Sequence, residues 1–407
     1  MLHLNCINLL TMNLLSANSK DSPIDLSFRN GRIALSLIFF LYGTLFAAWA
    51  SRIPDIKILH GLNDPQLGVV LLAMPVGTVL SLMISGRIIA NYNIKLIITG
   101  SFILLNISII GLGFPGSDMV LVSALFLFGF FGNALNVAIN TQAIDVQKKL
   151  GRTIMSSFHA IYSVGFMLSI AVGGILSKLN VSAFSHYVIL TGLNVLVIIL
   201  IFRFLLNSES KTKEVKPGFG FITSDRNLWI LGFIVFCGVL SEGTLIDWAA
   251  VYFRQTVSHS VKNSATALTL FSVAMTIGRF SGDYFVNRFK PTTVLILSGT
   301  GLFVGMLLAL STLIPSTVML GYIITGLSIA NIVPITYTLT ERLSSKNTAL
   351  AISTIATIGY IGILLGPALI GFLSAVVTLR GALFTIAFLG LVVLFLAIPV
   401  SRREKKI

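Results

Sequence analysis

The sequence predicts an all-α membrane protein: twelve transmembrane helices in two pseudo-symmetric six-helix bundles. Three observations carry that prediction. Of 407 residues, 55% are hydrophobic and only 10% charged, whereas soluble domains carry about 25% charge. Mean hydropathy is +0.95. Apolar runs near the ~20 residues a bilayer crossing needs recur along the whole chain, and a spacing of small residues repeats between the two halves.

The runs lie at about 31–51, 65–89, 94–114, 118–142, 154–177, 183–206, 227–253, 263–285, 291–312, 316–340, 347–376 and 381–400. Runs 5 and 11 are richest in Gly and Ser, the residues that let helices approach closely in lipid. Asn331 and Pro334 predict a break in helix 10. The stretch before the first run, 1–30, reads as a cytoplasmic tail. Its apolar piece, Leu9–Leu15, is too short to span and lacks a basic flank or small-residue cleavage site, so no signal peptide is expected. Met1 and Met12 are both open as the start. The polar, charged stretch 207–226 separates an N-terminal bundle, 31–206, from a C-terminal bundle, 227–400, and a basic tail closes the chain at 401–407.

The repeat sits at an offset of about 197 residues. Gly165, Gly174 and Ser177 of helix 5 match Gly362, Gly371 and Ser374 of helix 11. Gly129 matches Gly326, Asp145 corresponds to Glu341, and Trp49-Ala50 ends helix 1 much as Trp248-Ala249 ends helix 7. Parallel six-helix repeats of this kind belong to alternating-access carriers, with the site between halves near mid-membrane.

The formal net charge of +14 does not imply nucleic acid. With the N-terminus inside, 21 of the 28 Lys and Arg fall on inside segments and 6 outside, with Arg279 within helix 8. That is the positive-inside bias, and it predicts both termini in the cytoplasm. The two cysteines, Cys6 and Cys237, form no metal or redox motif. No cofactor is expected, and no metal.

The candidate site residues are the polar groups inside the runs. Glu242 lies about 14 residues into run 7, about 21 Å from its inner end at ~1.5 Å per residue. A charge at such depth costs at least about 2.5–3.5 kcal/mol without a partner, a proton or water. Glu242 is therefore the first candidate for proton coupling or substrate contact, against the alternative of a structural acid bonded to a neighbouring helix. Asp247 is five residues on, about 140° around the helix, so the two are not expected on one face. Beside Trp248, it reads as an outer-end gate or aromatic-belt anchor. Arg279 sits nearer the inner end of helix 8, with Asp283 one turn on. Its depth differs from that of Glu242 by about 12 Å, so that pair is not expected, and Arg279 reads as gating. Asn133, Asn136 and Asn140 share one face of helix 4. Their amides suit hydroxyls of a sugar-like solute or bonds between helices. His159 in helix 5, and more weakly Tyr42 and Asn106, are further candidates.

Certain stretches carry a resemblance: Trp49-Ala50-Ser51-Arg52-Ile53-Pro54, Asn136-Val137-Ala138-Ile139-Asn140, His159 to Gly165, Glu242-Gly243 with Asp247-Trp248, and Gly278-Arg279-Phe280 with Gly282. Over about residues 30–400 the chain resembles the major facilitator superfamily, in its fucose-permease-like and rhizopine-associated bacterial inner-membrane branch. The resemblance implies a secondary transporter that works by alternating access as a monomer, without nucleic acid. The family's loop motif between helices 2 and 3, Gly-x-x-x-Asp-Arg-x-Gly-Arg, is eroded here: Gly86 is followed by Ala90, Asn91, Asn93 and Lys95. The second copy keeps Arg288 but has Asn287 for the acid. Arg87, Asp145, Asp283 and Glu341 are candidate substitutes in gating. The branch implies an acid near Asn136, where this chain has an amide, which leaves Glu242 to carry coupling.

The expected function is proton-coupled symport of a small polar, sugar-like solute. Its rival is efflux of an amphipathic compound by proton antiport. A receptor of the same fold and a membrane enzyme are the other classes, but no nucleophile–base set, metal cluster or phosphate-binding Gly-x-x-x-x-Gly-Lys motif is present.

Overall fold

The computed structural model describes residues 23–150, 154–206, 226–258, 261–343 and 348–404. The expected linker therefore lies outside the described residues, save its last. Helix α1 is Pro23–Leu59 and α2 is broken into α2a, Asp64–Leu71, and α2b, Ala73–Asn91. Next come α3 (Ile94–Leu112), α4 (Asp118–Leu150), α5 (Met155–Lys178) and α6 (Ala183–Ile201). The second half holds α7 (Arg226–Tyr252), extended by a π-turn at Phe253–Val257, then α8 (Val261–Arg288) and α9 (Pro291–Ser311). Helix α10 is broken into α10a, Pro315–Ile329, and α10b, Ile332–Leu343. The stretch Thr348–Glu404 is two helices, α11 and α12, divided where Val377 and Thr378 leave helical geometry.

Twelve crossings result among the described residues. Ten helices are long and apolar enough to cross a membrane, one of them spanning both α11 and α12. Helix α8, which carries Lys262, Arg279, Asp283 and Arg288, is absent from that group. The break expected in α10 falls at Ala330–Asn331, where the Asn331 amide donates to the Gly278 carbonyl of α8 at 2.8 Å. Helix α2a starts with a reciprocal cap between Asn63 and Gln66.

The two halves use the same contacts. In lipid, apolar side chains gain little by leaving the surrounding acyl chains, so close backbone packing holds helices together. A methyl group at Gly165 of α5 would strike the Phe40 carbonyl of α1, and one at Gly362 of α11 would strike the Phe236 carbonyl of α7. Gly129 of α4 lies against Met74 of α2b just as Gly326 of α10a lies against Phe271 of α8. The third pair joins the halves: Gly174 of α5 meets Ala265 of α8, and Gly371 of α11 meets Gly68 of α2a. Met74 and Phe271, and Gly68 and Ala265, are themselves 197 positions apart. The repeat read from spacing is thus a repeat of helix crossings.

We call the end of the bundle where α1 begins and α12 finishes proximal, and the other end distal. Both crossings between halves lie toward the distal end, since α5 and α11 finish there and α2a and α8 begin there.

Candidate functional site

A cavity of about 450 Å³ lies between the halves. Helices α1, α2b and α5 supply one wall and α7, α8, α10 and α11 the other. Phe46, Trp49, Tyr162 and Phe166 give the first wall an aromatic surface. Glu242, Asp247, Thr244 and Arg279 give the second its polar groups.

The Arg279 guanidinium donates to Glu242 Oε1 at 2.7 Å, and the two form an ion pair. This corrects the expectation that their depths keep them apart. That estimate measured both helices from their inner ends, which are not level. The distal ends are joined by a short connection and make the better reference. Glu242 lies 15 positions before Val257, and Arg279 lies 18 after Val261. Three residues are about 4.5 Å along a helix, within reach of an arginine side chain.

Asp247 also lines the cavity, which corrects its reading as an outer anchor on a separate face. At ~100° per residue, Glu242, Ile246, Gly243 and Asp247 span an arc of about 140°. Gly243 sits inside that arc and contributes no side chain, so carboxylates at both edges reach the same space. Asp247 is 7% exposed and Trp248 is 0% exposed, so Trp248 is a core residue and not a belt anchor.

The other candidates separate. Tyr42 packs behind the aromatic wall, against Phe46 at 4.9 Å and Tyr162 at 5.4 Å between ring centroids. His159 is exposed and meets the edge of Phe39. Asn136 accepts from the Asn140 amide at 2.8 Å, so these two amides bond to each other along α4. Asn133 is buried. None of the three asparagines, nor His159, is among the residues lining the cavity. Asn106 is structural: its side chain accepts from Asn194 at 2.9 Å and its carbonyl from Thr191, tying α3 to α6. Arg87 and Glu341 are exposed at the proximal end, and Asp145 is half-buried there. The Asp283 side chain lies outside the described residues.

Spacing alone did not find the distal cluster. Asp55 of α1 pairs with Arg52 at 3.1 Å, with Arg254 of the π-turn, and accepts from Ser177 of α5 at 2.7 Å. Arg52 is 1% exposed and also donates to the Gly173 and Val181 carbonyls. Arg52 and Asp55 stand at i and i+3, a readable signal. Arg254 belongs to the other half, and only the fold brings it there.

The chain matches the family model described as Major Facilitator Superfamily over residues 33–313 and 256–407. It is 32% identical, over 91% of its length and 96% of the relative's, to an uncharacterized MFS-type transporter of Yersinia pestis. Among solved structures it resembles the nucleoside transporter NupG, in a point-mutant form, with a TM-score of 0.76 and 14% identity over 90% of this chain and 99% of that one. It also resembles the E. coli fucose:proton symporter FucP, in a point-mutant form, with a TM-score of 0.57 and 18% identity over 90% and 98%.

Proposed function

Because the chain belongs to the Major Facilitator Superfamily, we propose that it carries a small polar solute across the membrane by alternating access, using the cavity between its halves. The single observation that bears most on this is the Glu242–Arg279 ion pair on the cavity wall. Two charges at mid-membrane depth are tolerated because each neutralises the other. A proton arriving at Glu242 releases Arg279, and a solute that engages Arg279 releases Glu242. Either exchange couples occupancy of the cavity to the charge of its wall. The preferred mode is proton symport, as the printed title of FucP describes for that protein. Efflux of an amphipathic compound by antiport is the second reading, favoured by the aromatic wall of Phe46, Trp49, Tyr162 and Phe166.

Movement in this reading is a rocking of bundle 31–206 against bundle 227–400 around the site between them. The distal cluster of Arg52, Asp55, Ser177 and Arg254 acts as the latch of the distal end, and the Gly68–Gly371 crossing acts as its seal. Arg87, Asp145, Asp283 and Glu341 belong to the proximal gate, with Asn133, Asn136, Asn140 and His159 placed to meet solute only as that gate moves. The loop charges support a cytoplasmic proximal end, and in this reading the carrier works as a monomer in a bacterial inner membrane.

The test is a solute panel in proteoliposomes, comparing wild type with Glu242→Gln. The expected result is that the variant keeps counterflow and loses accumulation driven by a pH gradient. Unchanged gradient-driven accumulation in the variant would overturn the coupling role.

A further inference from the structure

We infer that the solute bears one protonated amine, held by Asp247 against the aromatic wall. The inference rests on the cavity being the transport site. It follows from the charge left on the wall once the ion pair is set aside. Glu242 and Arg279 cancel. Asp247 does not take part in that pair, and no hydrogen bond or ion pair joins it to another described side chain. It is a carboxyl group more than nine-tenths buried that lines the cavity. A buried carboxylate without a partner is among the most costly arrangements a membrane protein can hold. A cation that enters the cavity supplies what the protein does not.

Two further groups, one on each wall of the cavity, lack a protein partner. The Thr244 hydroxyl and the Trp49 indole N–H are buried without a hydrogen bond, and both residues line the cavity. Buried polar groups are satisfied in the large majority of cases, so two unsatisfied ones beside an unpaired carboxyl group mark a place where a ligand completes the bonding. Together they offer an anionic acceptor, a hydroxyl and an N–H donor.

The opposite wall selects for an organic cation over a bare proton. Phe46, Trp49, Tyr162 and Phe166 present ring surfaces, and ring faces attract ammonium groups by about 0.5–2 kcal/mol, more where water is excluded. The space, about 450 Å³, is that of a small organic molecule. An amine seated between Asp247 and the rings leaves the rest of its body toward Arg279 and Glu242. The ion pair then reads the solute's neutral polar groups, while Asp247 reads its charge.

The probes are matched pairs that differ only in the amine: glucosamine with glucose, and benzylamine with benzyl alcohol. Binding is followed at pH 7 on the purified full-length protein in detergent, by tryptophan fluorescence and by the shift in melting temperature. The expected result is that the amine of at least one pair binds and its neutral partner does not. Asp247→Asn should weaken that binding at least tenfold. Asp247→Glu, which restores the charge, should recover part of it, and this separates charge from a folding defect. Three results would overturn the inference: no preference for the amine in either pair, a preference that survives Asp247→Asn, or a pH-dependent signal that needs Asp247 but no amine, which would make a proton the occupant. The assay requires no translocation. Amine binding without counterflow would sink the transport reading and leave Asp247 as an amine-binding site only, and neutral-solute counterflow without amine preference would sink the amine and leave transport standing.

Discussion

Substituting Gly371→Ala should tilt the carrier away from the state seen here. The new methyl carbon would lie 2.7 Å from the Gly68 Cα and 3.0 Å from the Asp64 carbonyl oxygen. Carbon atoms prefer about 3.5–4.0 Å, so the two backbones must part by about 1 Å. Neither neighbour is a flexible side chain that could swing aside. Overpacking of this kind costs about 1–3 kcal/mol. The Gly68–Gly371 crossing joins one half to the other, so the cost falls on the distally closed state and not on either bundle. At about 1.4 kcal/mol per tenfold, the closed population drops by about 5- to 150-fold relative to the open one. The assay is a spin-label distance measurement between Lys178→Cys on α5 and Gln255→Cys in the π-turn of α7. Both positions are exposed at the distal end, on opposite halves, and the background has Cys6 and Cys237 replaced by Ser. The distance distribution should move outward with Gly371→Ala. The control is Gly129→Ala, whose methyl would strike Met74 within the N-terminal half; it should lower thermal stability and leave the distance alone. An unchanged distribution in folded Gly371→Ala would refute the assignment of this crossing to the distal seal.

Three other outcomes follow from the same geometry. Asp55→Asn weakens the contact with Arg254 and leaves Arg52 without its charge partner; at about 1.5–3 kcal/mol for a hydrogen bond to a charged group, the same spin-label pair should again move outward, and a melting curve should show a smaller loss. Asn106→Leu removes the α3–α6 amide bond and leaves the buried Asn194 amide without its acceptor, so melting should fall by an amount equivalent to about 1–3 kcal/mol with transport rates within twofold of wild type. Arg279→Gln leaves Glu242 unpaired at depth and should cost more in stability than the double variant Glu242→Gln with Arg279→Gln, as read by thermal unfolding.

Much of the architecture was legible because lipid imposes simple rules. Hydropathy gave every crossing, including α8, whose charges keep it out of a purely apolar selection. The glycine repeat was legible for a deeper reason: Gly129 and Gly326, or Gly165 and Gly362, are fixed by backbone approach, and the need for it recurs in both halves. The break at Asn331 was likewise written in the chain. The site was legible only in part. Glu242 stood out as a charge at depth, but its partner did not, because depth counted from helix ends ignores where those ends lie. Asp247 was misplaced because an angular separation of about 140° was taken to exclude one cavity, when a glycine between two carboxylates lets a concave wall use both. The asparagines of α4 show another side of this. Asn136 and Asn140 share a face as expected, and the Asn140 amide donates to Asn136 rather than into the cavity. Arg254 escaped notice because an ion pair between halves leaves no local spacing to read.

The account rests on one cavity that opens to one side at a time, and thiol labelling of that cavity tests it most directly. Ile363 lines the cavity from α11, and Ile363→Cys, in the background with Cys6 and Cys237 replaced by Ser, offers a single target. A membrane-impermeant maleimide is applied from either face of sealed, oriented vesicles, with and without Asp55→Asn. The account gives labelling chiefly from the proximal face in the intact carrier, and a gain from the distal face once the latch is cut. Labelling from both faces at equal rate in the intact protein, or a distal rate unmoved by Asp55→Asn, would contradict it.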